Sequence, residues 1–219
     1  MSIRKVSFVP GEYYHIYNRG NSKQKIFNDK EDYYRFIKLL FISNSQENFK
    51  IQFIGSNNIF RQERGELLVS IGAWVVMPNH FHLIISQTEN GSISKFMQKL
   101  TTAYSMYFNN KNERTGSLFE GKFKSKHIAD DRYLKYLFSY VHLNPIKLIQ
   151  KDWKDVGIKD KERSLSFLKQ YKYSSYLDYF KNDREEECIL NRWVFPNYFP
   201  TKEKFQNEIF EWISYRQDL

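Results

Sequence analysis

The sequence predicts an α+β fold in which helices pack on an antiparallel β-sheet. Segments with two-residue hydrophobic alternation and segments with helical periodicity follow each other in the order β-α-β-β-α-β-α. Two strand-like segments stand side by side in the middle of the chain, as in antiparallel sheets. A ferredoxin-like arrangement is the preferred version of this fold. With 219 residues, 41% of them hydrophobic, the chain suffices for one large domain or one domain with appendages.

The predicted strands are rich in β-branched and aromatic residues and are bounded by Gly, Asn or Pro. They cover residues 11–19, 50–54, 67–76 and 80–86, and a basic extended segment or short strand covers 119–128. The polar stretch 55–66 between the second and third strands is predicted to be a hairpin or loop insertion.

The predicted helices show apolar residues at positions i, i+3, i+4 and i+7. They cover residues 29–43, 92–110, 130–143 and, less periodically, 202–216. Asp29 is a suitable N-cap for the first helix. Pro145 stops the third, because a proline cannot continue a helical hydrogen-bond ladder.

The most informative motif is His80-Phe81-His82, which lies in a predicted core strand. Residues i and i+2 of a strand face the same side, so both imidazoles point to one spot, at a spacing that suits a divalent metal. Phe81 faces the opposite side. The alternative is that both rings are ordinary polar groups of the core or surface.

A net charge of +9 and a pI of about 9.4 favour a polyanionic partner, and nucleic acid is the usual one. The alternative is a basic protein without such a partner. The chain also has 16 Tyr and 19 Phe among its Lys and Arg residues, which favours single-stranded nucleic acid, because bases stack on aromatic rings.

Cys188 is the only cysteine, so one chain cannot form a disulfide framework or a cysteine metal cluster. This fits a reducing compartment, and a cytoplasmic location is predicted. The first residues lack the apolar core of a signal peptide. No run of 18 apolar residues exists, so no contact with a membrane is expected.

The third predicted helix supplies candidates for a nucleophile and a further metal ligand. Tyr140 and Asn144 are four residues apart and share a helix face. The Tyr140 hydroxyl could attack while the Asn144 carbonyl oxygen coordinates the ion that the histidines hold. An oxygen ligand beside two imidazoles suits Mg²⁺ or Mn²⁺. Tyr136 is the main rival nucleophile, because it lies four residues before Tyr140 and therefore on the same helix face.

Three blocks of sequence resemble those of the HUH single-tyrosine transposases (IS200-like), in the branch called REP-associated tyrosine transposases. They are residues 77–85, 116–125 and 140–147, and the later Tyr173-Ser174-Ser175-Tyr176 is similar to a tail motif of that branch. The resemblance implies a catalytic domain over residues 1–150 with the HUH fold. A C-terminal extension, residues 151–219, would pack on or beside it.

The resemblance also implies an activity, a cofactor and a partner. Such enzymes bind single-stranded DNA, often beside a hairpin, and act as monomers or homodimers. His80 and His82 match the ligands of a divalent metal, Mg²⁺ or Mn²⁺, that polarises the scissile phosphate. Tyr140 matches the nucleophile that forms a 5′-phosphotyrosine link and leaves a 3′-hydroxyl. Asn144 matches the residue that completes the metal shell, where relatives often have the longer Gln.

Four basic residues are expected to contact DNA, with an ordinary solvated face as the alternative. They are Arg19, Lys122, Lys124 and Lys126. His127 is expected to meet phosphate, His142 to be structural or to contact DNA, and His15 to be a sheet residue near the site. Two other functions stay open: a DNA-binding regulator without cleavage activity, and a metal-dependent phosphodiesterase that uses water as nucleophile.

Overall fold

A computed structural model describes residues 7–49, 58–180 and 184–214. In these residues four strands form one antiparallel sheet in the order β2-β3-β1-β4. They are β1 (Tyr13–Arg19), β2 (Val69–Met77), β3 (His80–Gln87) and β4 (Lys124–Ile128). The predicted α+β class and antiparallel sheet are confirmed. The predicted strand at 50–54 lies outside the described residues, as does the start of the 55–66 insertion.

Seven α-helices are present in the described residues. They are α1 (Lys30–Ile42), α2 (Ser92–Lys111), α3 (Asp131–Leu143), α4 (Trp153–Val156), α5 (Lys161–Gln170), α6 (Tyr176–Phe180) and α7 (Lys202–Ser214). The predicted cap is present, because the side chain of Asp29 accepts a hydrogen bond from the backbone N–H of Asp32 at 3.1 Å. None of these helices is long and apolar enough to cross a membrane.

The two faces of the sheet carry different helices. Phe81, Leu83 and Ile85 of β3 belong to the core that includes residues of α1 and α2. Ile84 belongs to a second core, together with Leu137 of α3. Because side chains alternate along a strand, His80 and His82 lie on the face that α3 covers. The predicted segregation of Phe81 from the two histidines is therefore observed.

The chain after α5 closes the free edge of β2. The backbone N–H of Val76 donates to the carbonyl of Tyr173 at 2.9 Å, and that of Ser175 donates to the carbonyl of Trp74 at 2.9 Å. Within β2, a Cβ on Gly72 would lie 2.9 Å from Phe138 of α3, so glycine permits this close approach. Residues after 150 thus contact the sheet directly, and the division at residue 150 stays a prediction.

Candidate active site

A tight hairpin turn places His80 at the end of the sheet. Pro78 and Asn79 join β2 to β3, so Met77 pairs directly with His80. The Pro78 carbonyl accepts hydrogen bonds from the backbone N–H groups of Ile26 at 2.9 Å and Phe27 at 3.1 Å. These bonds fix the turn against the segment that follows β1, and with it the start of β3.

The neighbour Asn79 determines which nitrogen of His80 carries the proton. Its amide nitrogen donates to the Lys23 carbonyl at 3.0 Å, so its amide oxygen faces His80 Nδ1, at 2.6 Å. Nδ1 must therefore be the donor, which leaves Nε2 as the lone pair available to a metal. Burial lowers the pKa of His80 to about 4, so the ring is neutral near pH 7.

His82 is held by a second histidine, from the adjacent strand β1. Nε2 of His15 lies 2.9 Å from Nδ1 of His82, and both rings are buried. Burial lowers the pKa of His15 to about 4 and that of His82 well below its ordinary value. When His82 Nδ1 is the donor of this bond, Nε2 of His82 is left as a metal ligand. The sequence placed His15 near the site but did not predict this contact.

Helix α3 brings Tyr140 and Asn144 to the two histidines. The ring centroid of Tyr140 lies 5.5 Å from that of His82 and 6.2 Å from that of His15. Burial raises the pKa of Tyr140. The Asn144 side chain lies close enough to His80 and Tyr140 to raise the pKa of the imidazole and lower that of the phenol. The structure therefore brings together all four predicted catalytic and metal-binding residues.

The donor atoms at this place fit a divalent cation. Asn144 is only 1% exposed, and no hydrogen bond of regular geometry reaches its Oδ1, although His80 lies within electrostatic reach of this side chain. An unpaired buried acceptor costs about 1–3 kcal/mol, which a bound cation would offset. Within the described part of the chain, no group of three or more His, Cys, Asp or Glu side chains is arranged to hold a metal. The amide oxygen of Asn144 would therefore have to complete the set with His80 and His82.

The rival Tyr136 lies one helical turn before Tyr140 on α3. The rings of Tyr136 and Tyr140 stack at 6.2 Å, and those of Tyr133 and Tyr136 stack at 6.1 Å. Tyr140 is one turn from Asn144, whereas Tyr136 is two turns away. The ring contacts of Tyr140 with His82 and its proximity to Asn144 favour Tyr140 as the reactive group.

Lys154, which no sequence motif marks, touches the Tyr140 hydroxyl. Its Nζ donates to Tyr140 Oη at 2.7 Å and lies 4.1 Å from the centre of the same ring. Burial lowers the pKa of Lys154, and Asp155 acts in the opposite direction. The residue follows α3 in a segment without a recognisable motif, so only the folded chain shows this contact.

The predicted DNA-binding lysines lie beside the site. Lys124 pairs with Tyr17 and Lys126 with His15 across β1 and β4, and directly paired residues share a sheet face. Both lysines are exposed, and Lys126 Nζ lies 4.3 Å from the ring centre of Tyr133. Lys122, in the preceding loop, is exposed too. These positions fit the expected role in DNA binding, which stays a prediction.

Three other predicted contacts have partners within the protein. Arg19 pairs with His80 in the sheet register but forms an ion pair with Glu120, in which Nη2 lies 2.9 Å from Oε1. His127, expected to meet phosphate, has its Nε2 2.8 Å from a carboxylate oxygen of Glu12. His142 is fully buried, so of the two predicted roles the structure supports the structural one and not a DNA contact.

Comparisons with known proteins identify the family of this chain. The chain matches the family described as Transposase IS200 like over residues 9–144, more than half of its length. A solved structure of a REP-associated tyrosine transposase bound to a REP hairpin matches with a TM-score of 0.50 and 14% identity. That match covers 81% of this chain and 84% of the other, and at this identity it shows the fold alone. No curated protein sequence matches. The chain therefore belongs to the IS200-like transposase family, as its three sequence blocks predicted.

Proposed function

We propose that this protein is a metal-dependent transposase and nuclease that cleaves and rejoins single-stranded DNA through a 5′-phosphotyrosine intermediate. The observation that carries the proposal is the meeting of Tyr140 with two neutral imidazoles and the buried Oδ1 of Asn144, which no hydrogen bond of regular geometry reaches. The two histidines would hold Mg²⁺ or Mn²⁺ together with Asn144. When bound, the ion would polarise the scissile phosphate.

The chain's own nucleophile would make and break the DNA bond. The Tyr140 oxygen attacks phosphorus, a new O–P bond forms, and the bond from phosphorus to the 3′-oxygen breaks. The DNA then carries a 5′-phosphotyrosine on one side and a free 3′-hydroxyl on the other. Because the phosphodiester energy is kept in the new ester, a 3′-hydroxyl can reseal the strand without ATP.

The basic and aromatic surface beside the site supports single-stranded DNA as the substrate. Lys124 and Lys126 share the sheet face of the histidines, and Tyr17 lies on the same face with its side chain half-buried. Cations that meet phosphates and rings that stack on bases are the usual elements of such a surface. The solved relative is bound to a REP hairpin, and we infer that DNA with a hairpin is the substrate here too.

The proposed nucleophile and metal ligands lie together in one chain. The ring of Tyr140 is 5.5 Å from that of His82 of the same chain. We infer that the site works within one chain, whether the protein is a monomer or a homodimer.

The proposal is tested with purified protein, Mn²⁺ and a single-stranded hairpin oligonucleotide labelled on the 3′ side of the cut. We expect a denaturation-resistant adduct with the label, which Tyr140→Phe abolishes. Tyr136→Phe, which removes the same group one turn away, is the matched control and should retain the adduct. His80→Ala should abolish the adduct and keep much of the DNA binding.

Other results would support other functions. DNA binding without any cut by the wild type favours a DNA-binding regulator. Cleavage that survives Tyr140→Phe favours a phosphodiesterase that uses water. An adduct that vanishes in Tyr136→Phe and persists in Tyr140→Phe would transfer the nucleophile to Tyr136.

A further inference from the structure

Lys154 reaches the Tyr140 oxygen from outside the part of the chain that matches the family. The family match ends at residue 144, and α4 begins nine residues later, at Trp153. Nζ of Lys154 nevertheless lies 2.7 Å from Tyr140 Oη, within hydrogen-bond distance of the atom that would attack phosphorus.

The neighbouring Trp153 anchors this segment. Its side chain is 1% exposed and belongs to a core formed with Leu143 and Ile146, at the end of α3. Its ring stacks on that of Tyr140 with centroids 6.4 Å apart. Because Trp153 is fixed, the backbone of the adjacent Lys154 is fixed as well. The half-buried side chain of Lys154 lies across the Tyr140 ring and ends at the Tyr140 hydroxyl. The contact is therefore built into the fold and is not a chance meeting of two mobile surface groups.

We propose that Lys154 is a catalytic residue: its ammonium group holds the Tyr140 oxygen in place and stabilises the negative charge on this oxygen as the O–P bond forms and breaks. The inference rests on the proposed function and extends it, because it assigns a role at the same site to a residue of the C-terminal segment. A donor aimed at an atom where charge develops stabilises the transition state more than the ground state.

Cleavage and rejoining need no reactant other than DNA and water. In cleavage the Tyr140 O–H proton is released to water, the oxygen bonds to phosphorus, and the departing 3′-oxygen takes a proton from water. In rejoining, the 3′-hydroxyl releases its proton, its oxygen bonds to phosphorus, and the phenolate of Tyr140 leaves. Lys154 stays an ammonium group throughout and keeps its hydrogen bond to the phenol oxygen, so it serves both directions.

The test compares adduct formation by the full-length wild type and by Lys154→Met, Lys154→Gln and Lys154→Arg with a hairpin oligonucleotide and Mn²⁺. We expect the first-order rate at saturating DNA to fall about 10- to 100-fold in the Met and Gln variants, the range for losing one hydrogen bond from a charged donor. The dissociation constant for DNA should change less than about threefold. Lys154→Arg should restore most of the rate, because a cationic donor remains.

Lys151→Met is the matched control, because it removes the same charge from an exposed position three residues earlier. Thermal unfolding of each variant shows whether the fold is retained, and the Gln variant gives the answer if the Met variant fails to fold. A rate for Lys154→Gln within twofold of wild type, or above it, would overturn the inference. So would an equal loss in Lys151→Met, which would indicate a general charge effect. If the wild type forms no adduct, the proposed function fails and this inference fails with it.

Discussion

The hydroxyl of Ser175 joins β2, α3 and the C-terminal segment after residue 150, which we call the tail. Its removal is our most direct test of how the tail supports the site. Ser175 lies in the tail motif Tyr173-Ser174-Ser175-Tyr176 and is fully buried. Its Oγ accepts a hydrogen bond from the backbone N–H of Trp74 in β2 at 2.9 Å. The same oxygen lies 2.8 Å from Nε2 of His142, which is on α3 between Tyr140 and Asn144.

The expected loss of stability in Ser175→Ala follows from these contacts. Alanine leaves the Trp74 N–H and His142 Nε2 without their partner in a place that water does not reach. Each unsatisfied buried polar group costs about 1–3 kcal/mol. We therefore expect the free energy of unfolding to fall by about 2–6 kcal/mol. For a chain of this size the melting temperature should fall by roughly 4–24 °C.

The measurement is urea unfolding followed by circular dichroism, with Ser166→Ala as the control. Ser166 is an exposed serine on α5, and its replacement should change the free energy of unfolding by less than about 0.5 kcal/mol. If Ser175→Ala also stays within about 0.5 kcal/mol of the wild type, our account of this hydroxyl as a link between β2, α3 and the tail is wrong.

Three further predictions concern metal and DNA binding. His15→Phe removes the partner of His82 Nδ1 and should weaken Mn²⁺ binding about 10- to 100-fold in a calorimetric titration. Because burial lowers the pKa of His80 to about 4, this ring is a neutral ligand above that pH and gains a proton below it. Mn²⁺ binding, measured by electron paramagnetic resonance, should therefore persist from pH 7 to about pH 5.5 and be lost toward pH 4. Lys122→Ala and Lys124→Ala should each lower the slope of log affinity against log salt by about 0.7–0.9 for a hairpin oligonucleotide.

A specific result would contradict each of these three predictions. Mn²⁺ affinity within twofold of wild type in His15→Phe would show that His82 needs no partner. Loss of Mn²⁺ already near pH 6.5 would show that the ligands titrate like exposed histidines. An unchanged salt slope in both lysine variants would show that these side chains contact no phosphate.

Local patterns were sufficient to predict the elements that carry the site. The i, i+2 spacing of His80 and His82 on a strand predicted that both rings share a face, and the structure places them on the face that α3 covers. The four-residue spacing of Tyr140 and Asn144 on a helix predicted their common side. The helix and strand periods arise from local backbone geometry. The spacing of residues along the sequence therefore shows which side chains share a face.

Contacts between distant segments could not be predicted in this way. The bond between His15 and His82 joins residues 67 positions apart, and that between Ser175 and Trp74 joins residues 101 positions apart. The expected DNA contact Arg19 is paired with Glu120, which is likewise 101 residues away. No local period relates such residues, because their distance depends on how strands and helices pack.

By itself, the sequence determined the α+β class, the histidine pair, the tyrosine of α3 with the asparagine that caps this helix, and membership in the IS200-like family. Only the tertiary structure decided that these groups meet, that His15 and Asn79 orient the imidazoles, and that Lys154 donates to the Tyr140 hydroxyl. The physical reason is that a ligand's tautomer and a nucleophile's hydrogen bond depend on neighbours within about 3 Å, and the packing of the sheet, α3 and the tail brings those neighbours together.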